Sequence, residues 1–299
     1  MPTVRANGLD VQYLVEGAGP PVVMLHGATS SGLDDWAAQR PGFRRAFRVY
    51  IPDARGHGGT RWDAADGWSS EALVDDLAAF VDALELQTFH LVGFSMGGST
   101  ALGYATREPA RLRTLLISGA DVQRQPNANV ARRLMDPARV DREEPAWAAS
   151  LAARHDPVQG PGAWRRLLPA IAADLETRRL LTPEELFRAR VPTLLAYGDR
   201  DVFVPVDHAV ALYRQLPDAR LFIAPDCDHQ VMSSRPGLFN DATATFYRTT
   251  EDEARARAEG RAVERSTIRR SPLRAPVPTA MSDPPAPEPA MPDASRSRP

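Results

Sequence analysis

The chain has 299 residues and a formal net charge of −2, from 36 basic and 38 acidic side chains; 43% of it is hydrophobic and 7% aromatic. That length allows a well-filled core in one or two domains, and the near-neutral balance leaves no electrostatic footprint for a nucleic acid. A single Cys, Cys227, excludes a disulfide framework and a multi-thiolate metal cage, and the absence of lysine excludes a Schiff-base nucleophile and a Walker A loop.

Leu9–Val15 alternates in the strand manner after Asn7-Gly8, a hairpin turn signal. Val22–Leu25 and Val49–Ile51 are short, wholly apolar runs. Glu71–Leu84 carries Leu73, Leu77, Phe80, Val81 and Leu84 along one helical face. Phe89–Val92 is a further apolar run, followed by a helical pattern over Ser99–Thr106 and another run at Leu115–Ile117. Between Ser118 and Arg190 the strand pattern stops, and helical pieces rich in Arg, Trp and Leu take over. Within them Thr182-Pro183-Glu184-Glu185 has the signature of a helix start. The rhythm resumes with Thr193–Tyr197, a helix over Val206–Leu216, and Leu221–Ala224.

Apolar runs bounded by Gly, Pro or Asp suit parallel strands covered on both faces, and their alternation with helices predicts an α/β protein with an open, doubly wound sheet. Insertions after a strand's carboxyl end sit where such sheets bind ligands, so the helical segment is expected to form a lid. After Arg248 the composition changes: nine of the last 29 residues are Pro, and no aromatic follows Tyr247. Residues 250–299 are expected to be a disordered Pro/Arg-rich tail, with a helical start as an option. Met1 to Asp10 holds no apolar segment for secretion, and no stretch nears the roughly 20 apolar residues of a membrane span. A cytoplasmic protein with no membrane partner is therefore expected.

The strongest chemical signal is Gly93-Phe94-Ser95-Met96-Gly97-Gly98, between an apolar strand and a helix. At such a corner the nucleophile occupies a strained backbone, and only Gly-sized neighbours avoid collision. Serine needs a base. Of the six histidines, His90 falls in a strand and His208 in a helix, and both read as packing or surface residues. His155 lies in the helical segment, where substrate contact is one option, and His26 is expected to brace its own loop. His229 stands in a polar loop after the last strand, at the expected edge of Ser95, and is the candidate base. Asp201, in Gly198-Asp199-Arg200-Asp201, is the candidate acid that fixes the imidazole tautomer, whereas Asp199 is expected to organise the turn. Met96 N–H, next after the nucleophile, and Ala28 N–H, after His26-Gly27, are the candidate oxyanion donors. No histidine pair has metal-ligand spacing, and neither metal nor cofactor is expected. Gly17-Ala18-Gly19 lacks the third Gly of a dinucleotide fingerprint and precedes a strand.

His26-Gly27, Pro52-Asp53-Ala54-Arg55-Gly56-His57-Gly58, Gly93-Phe94-Ser95-Met96-Gly97-Gly98, Gly198-Asp199-Arg200-Asp201 and Asp228-His229 together resemble the α/β-hydrolase superfamily, in its esterase and cofactor-free haloperoxidase-like branch. The resemblance covers about residues 3–248. It implies an α/β-hydrolase fold: a doubly wound, mostly parallel eight-stranded sheet with a helical lid inserted after the sixth strand. Residues 1–119 and 189–249 would form the core and 120–188 the cap. By the same resemblance Ser95 is the nucleophile, Asp201 the acid, His229 the base, and Ala28 and Met96 the oxyanion donors. Asp228 departs from the pattern, since Gly often precedes the base. Asp-nucleophile relatives do not fit, because Ser95 stands at that position. Phe94, Trp147, Trp164 and Val202 are candidate substrate contacts, with Leu167, Leu168 and Leu175 as further apolar lid residues. The expected partner is a small carboxylic ester. Three readings stay open: ester hydrolysis; cleavage of a lactone, amide or carbon–carbon bond, or perhydrolysis, by the same triad; and a ligand receptor that uses the fold to bind.

Overall fold

Eight strands form one sheet in the computed structural model, which describes residues 1–123 and 133–261. They are β1 (Thr3–Ala6), β2 (Leu9–Glu16), β3 (Pro21–Leu25), β4 (Arg48–Pro52), β5 (Phe89–Phe94), β6 (Leu112–Ser118), β7 (Thr193–Gly198) and β8 (Ala219–Ala224), in the spatial order β1-β2-β4-β3-β5-β6-β7-β8. β1 pairs antiparallel with β2, and β2 with β4; every later pairing is parallel. Asn7 and Gly8, with φ of 45° and 77°, make the tight first hairpin turn. All six residues of β5 and of β7 are buried, as parallel strands covered on both faces must be.

From β3 to β6 the chain returns to the next strand through helices: α1 (Gly32–Asp35), α2 (Arg40–Phe43), α3 (Ser70–Ala83) and α4 (Met96–Arg107). Side chains of β3 alternate between two cores. Val23 and Leu25 join Phe80, Leu91 and Tyr104 on one face, while Val22 and Met24 join Trp36, Phe47 and Phe239 on the other. Between β6 and β7 the described residues are helical: α5 (Pro137–Glu143), α6 (Pro145–Gln159), α7 (Trp164–Thr177) and α8 (Pro183–Arg188). α8 opens with the expected capping box, Thr182 accepting from Glu185 N–H and Glu185 from Thr182 N–H. The insert has its own small core of Val140, Leu151, Trp164 and Leu168. It is tied to the sheet domain where Asp174 accepts from Ser70 N–H at 2.7 Å and from Ser70 Oγ at 2.6 Å.

After β7 come α9 (Val206–Gln215), β8, α10 (Val231–Ser234) and α11 (Pro236–Ala258). The expected tail boundary needs correction. α11 runs nine residues past Thr249, because Thr250 and Ala256 are buried and Glu253 pairs with Arg220 of β8 at 3.1 Å. The Pro-rich remainder lies outside the described residues. Among the described residues, no helix is long and apolar enough to cross a membrane.

Candidate active site

Ser95 is the hinge between β5 and α4, with φ 51° and ψ −113°. A non-glycine residue held there is strained, and its surroundings enforce the strain. A Cβ on Gly93 would lie 2.3 Å from Gly97 O, and one on Gly97 would lie 2.5 Å from Leu25 O. The Gly-x-Ser-x-Gly spacing is thus the spacing at which a strand reverses into a helix jammed against β3. Ser95 N–H is held by Ser118 O of β6 at 2.8 Å, and Gly97 N–H by His26 O at 3.1 Å. The helix begins at Met96, three residues before the sequence pattern of Ser99–Thr106 suggests, so Ser95 caps it.

Three loops at the carboxyl ends of the strands bring the polar groups together. His229 Nε2 lies 3.0 Å from Ser95 Oγ, and its Nδ1 lies 2.8 Å from Asp201 Oδ2. A carboxylate only accepts, so Nδ1 carries the hydrogen and Nε2 is left to accept from the Ser95 hydroxyl. The other oxygen of Asp201 accepts from Phe203 N–H at 2.8 Å and Val204 N–H at 3.0 Å, which fixes the carboxylate plane. Asp201 is 8% exposed. Asp199 does not approach the imidazole network; it accepts from Cys227 N–H at 3.1 Å and ties the Asp201 loop to the His229 loop. The two loops touch so closely that a Cβ on Gly198 would sit 2.1 Å from Cys227 O. Gly119, at φ 63° just past β6, leaves the space His229 fills, since a Cβ there would stand 2.9 Å from His229 Cε1. Asp228 turns away from His229: its Oδ1 accepts from the N–H of Gln230, which caps the start of α10, and from Oγ of Ser234 at its end.

Opposite Ser95, His26-Gly27-Ala28 leaves β3. His26 Nδ1–H donates to Gly27 O at 2.7 Å, and Gly27 N–H donates to Asp35 at 2.8 Å. The Gly27 carbonyl and the Ala28 N–H share one trans peptide and point in opposite directions. Holding the carbonyl therefore aims the N–H. Met96 N–H belongs to the first turn of α4, where amides have no acceptor within the helix and the helix dipole favours negative charge. Ala28 and Met96 both line the cavity that opens on Ser95 and His229.

That cavity measures about 440 Å³. Phe94 and Trp147 line it as expected, with Leu175. Two other candidates do not. Trp164 is 0% exposed, buried in the insert's own core. Val202 is 58% exposed and outside the lining, because Asp201 anchors the amides of Phe203 and Val204 and turns the intervening Val202 outward. Leu168 likewise stays in the insert's core. Phe203, not anticipated, takes the place meant for Val202: its ring lies 4.8 Å from the His229 ring between centroids. Its signal in the sequence is proximity to Asp201, an aromatic within the same loop. Asp121, Glu144 and Asp174 also line the cavity, each already engaged by His208, Arg139 and Ser70 respectively.

The profile of the alpha/beta hydrolase family matches residues 22–242, most of the chain. The chain belongs to the alpha/beta hydrolase family. This alpha/beta hydrolase is 29% identical over 248 residues to the 2-hydroxy-6-oxo-2,4-heptadienoate hydrolase of Pseudomonas putida, covering 76% of this chain and 89% of that one. It is 27% identical over 261 residues to the pimeloyl-[acyl-carrier protein] methyl ester esterase of Nitrosospira multiformis, covering 75% and 92%. Among solved structures, a thermophilic esterase from Thermogutta terrifontis superposes with a TM-score of 0.68 at 27% identity, over 83% of this chain and 97% of the other. The protein is an enzyme of the hydrolase class.

Proposed function

We propose that this hydrolase cleaves a carboxylic ester through an acyl-enzyme, with Ser95 as nucleophile, His229 as base and Asp201 as acid. The observation that carries the reading is the unbroken hydrogen-bonded chain from Ser95 Oγ through both nitrogens of His229 to Asp201. Ser95 attacks the carbonyl carbon as His229 Nε2 takes its proton. The N–H groups of Ala28 and Met96 receive the oxyanion, each worth ~3–4 kcal/mol by the cost of removing such a donor elsewhere. His229 then protonates the leaving alcohol, and a water activated by the same nitrogen releases the acid. Asp201 holds the imidazole in the tautomer that can accept. The helical insert acts as the lid, with Trp147 and Leu175 offering the apolar wall. The test is release of nitrophenol from short p-nitrophenyl esters and labelling by a fluorophosphonate. Wild type is expected to do both, and Ser95→Ala to lose turnover by ~10⁴-fold or more. A wild-type chain that neither releases nitrophenol nor labels would refute the reading.

A second reading has one observation in its favour, the similarity to a 2-hydroxy-6-oxo-2,4-heptadienoate hydrolase. The same serine would attack a ketone, and the carbon–carbon bond beside it would break, the carbon fragment leaving with a proton from His229. A ring-fission dienoate offered beside the ester panel decides between them by the larger kcat/KM.

A further inference from the structure

One residue of the oxyanion loop is held against its own preference. Thr29 has φ 64°, in the left-handed region that a β-branched side chain avoids. Both its backbone groups are gripped from outside the loop. Its N–H donates to His57 Nε2 at 3.2 Å. Its carbonyl accepts from Arg154 Nη1 at 2.8 Å and lies 3.3 Å from His155 Nε2, both on α6 of the insert.

The grips are themselves fixed. His155 Nδ1 accepts from Gly58 N–H at 3.1 Å, so its hydrogen is on Nε2, facing Thr29. His57 Nδ1–H donates to Arg55 O at 2.9 Å, which frees Nε2 to accept. Arg154 is braced by Asp34 at 2.6 Å, and Asp34 accepts from Ser31 Oγ at 2.8 Å. The rings of His26, His57 and His155 stand in a row, 5.0 and 5.4 Å apart between centroids, the first pair tilted and the second edge-on. His57 and His155 are both 0% exposed. Next to Thr29, along the same backbone, stands the Ala28 N–H.

We propose that α6 clamps the oxyanion loop: Arg154 and His155, with His57 behind them, hold Thr29 left-handed and thereby keep the Ala28 N–H on the developing oxyanion. All three are positioning residues, and the helical insert takes part in the chemistry as well as in covering it. This rests on the roles proposed above for Ser95 and Ala28. His57 and His155 are held neutral in the working range. Burial, helped by His26, His155 and Arg154, pushes His57 well below its ordinary value against the opposing hydrogen bond to Arg55 O, and burial with Arg154 and His26 takes His155 down to about 4 against the opposing hydrogen bond to Thr29 O and the charge of Asp53. Each bare nitrogen already accepts a backbone N–H, so a proton there would set donor against donor.

The experiment compares wild type with Arg154→Met/His155→Asn, each with Thr or Gly at position 29. Readouts are kcat and KM on a short p-nitrophenyl ester, and affinity for a trifluoromethyl ketone that binds as a tetrahedral adduct. Loosening the clamp is expected to lower kcat at least ~10-fold, part of the ~100-fold or more lost with an oxyanion donor. KM should stay within about twofold, the mark of an interaction made only in the transition state, and ketone affinity should fall in step with kcat. Thr29→Gly should restore most of the loss, because glycine adopts the left-handed backbone without help. An unchanged kcat, a loss confined to KM, or no rescue by glycine overturns the clamp. Should the double variant fail to fold, Arg154→Gln on a side chain 21% exposed carries the same readouts. Fluorophosphonate labelling of wild type separates the two ideas. Labelled wild type beside fully active variants removes the clamp alone, and unlabelled wild type removes both.

Discussion

Asp201 shows how much depends on one atom. Its Oδ1 is taken by two backbone N–H groups, and only Oδ2 faces His229. In Asp201→Asn the amide oxygen goes to the two backbone donors and the NH₂ turns toward the ring. The ring must then accept at Nδ1 and carry its hydrogen on Nε2, where it cannot take a proton from Ser95. Turnover is expected to fall by ~10⁴-fold. Asp199→Asn keeps an oxygen for Cys227 N–H and should stay within about tenfold of wild type, since a neutral hydrogen bond replaces a charge-assisted one. Comparing the two kcat values checks the assignment, and the reverse order contradicts it. At this scale the meeting of Ser95, His229 and Asp201 was legible because these residues fall in loops directly after apolar strands. Thr29 and Gly119 were not. A positive φ at a threonine and the room a histidine needs are properties of neighbours that arrive from far along the chain.

Among elements, the insert separates packing from recognition. Trp164 and Trp147 both read as lid aromatics in sequence, and no local pattern distinguishes them. Which face of α7 meets the insert's own core depends on how α5, α6 and α7 close on one another, and periodicity does not encode that. The structure splits them: Trp164 is fully buried with Val140, Leu151 and Leu168, whereas Trp147 is half-buried and reaches the cavity. Trp164→Ala is therefore expected to cost ~3–5 kcal/mol, seen as a lower denaturation midpoint. Trp147→Ala, which removes a side chain packed only against the edge of that core, should cost less stability than Trp164→Ala and change the preference among acyl chain lengths. A fall in midpoint from the second but not the first would reverse the reading. α4 and the seven strands from β2 onward, by contrast, were placed by sequence to within a few residues, because their glycines and apolar runs answer to local sterics; β1 was not marked.

For the whole molecule, acid is the weak direction. Burial holds His90 and His155 at about 4 and His57 well below its ordinary value, while the unfolded chain takes up protons near 6.5. Their neutral forms are the folded forms, so stability is full above about 6.5 and declines as pH falls, levelling only as the buried rings titrate. The melting temperature is expected to drop steadily from pH 7 to pH 4, and His90→Gln to flatten the slope; a flat wild-type profile would contradict it. The alternation of parallel strands and helices follows from runs a reader can mark in the sequence, whereas the strand order and the division into two cores come only from the fold. Where α11 ends is likewise set by the fold, since Arg220 and Glu253 meet only once β8 is laid down.

β8 closes the sheet with a neighbour on one side only, and the imidazole rides in the loop that leaves it. The reaction centre thus hangs from a margin, and margins fray before middles. α11, pinned by Glu253 and by Arg220 over the Phe246 ring, works as a splint along that selvage. Warming should idle the enzyme while most of its strands still stand, and the grip of that splint sets how soon.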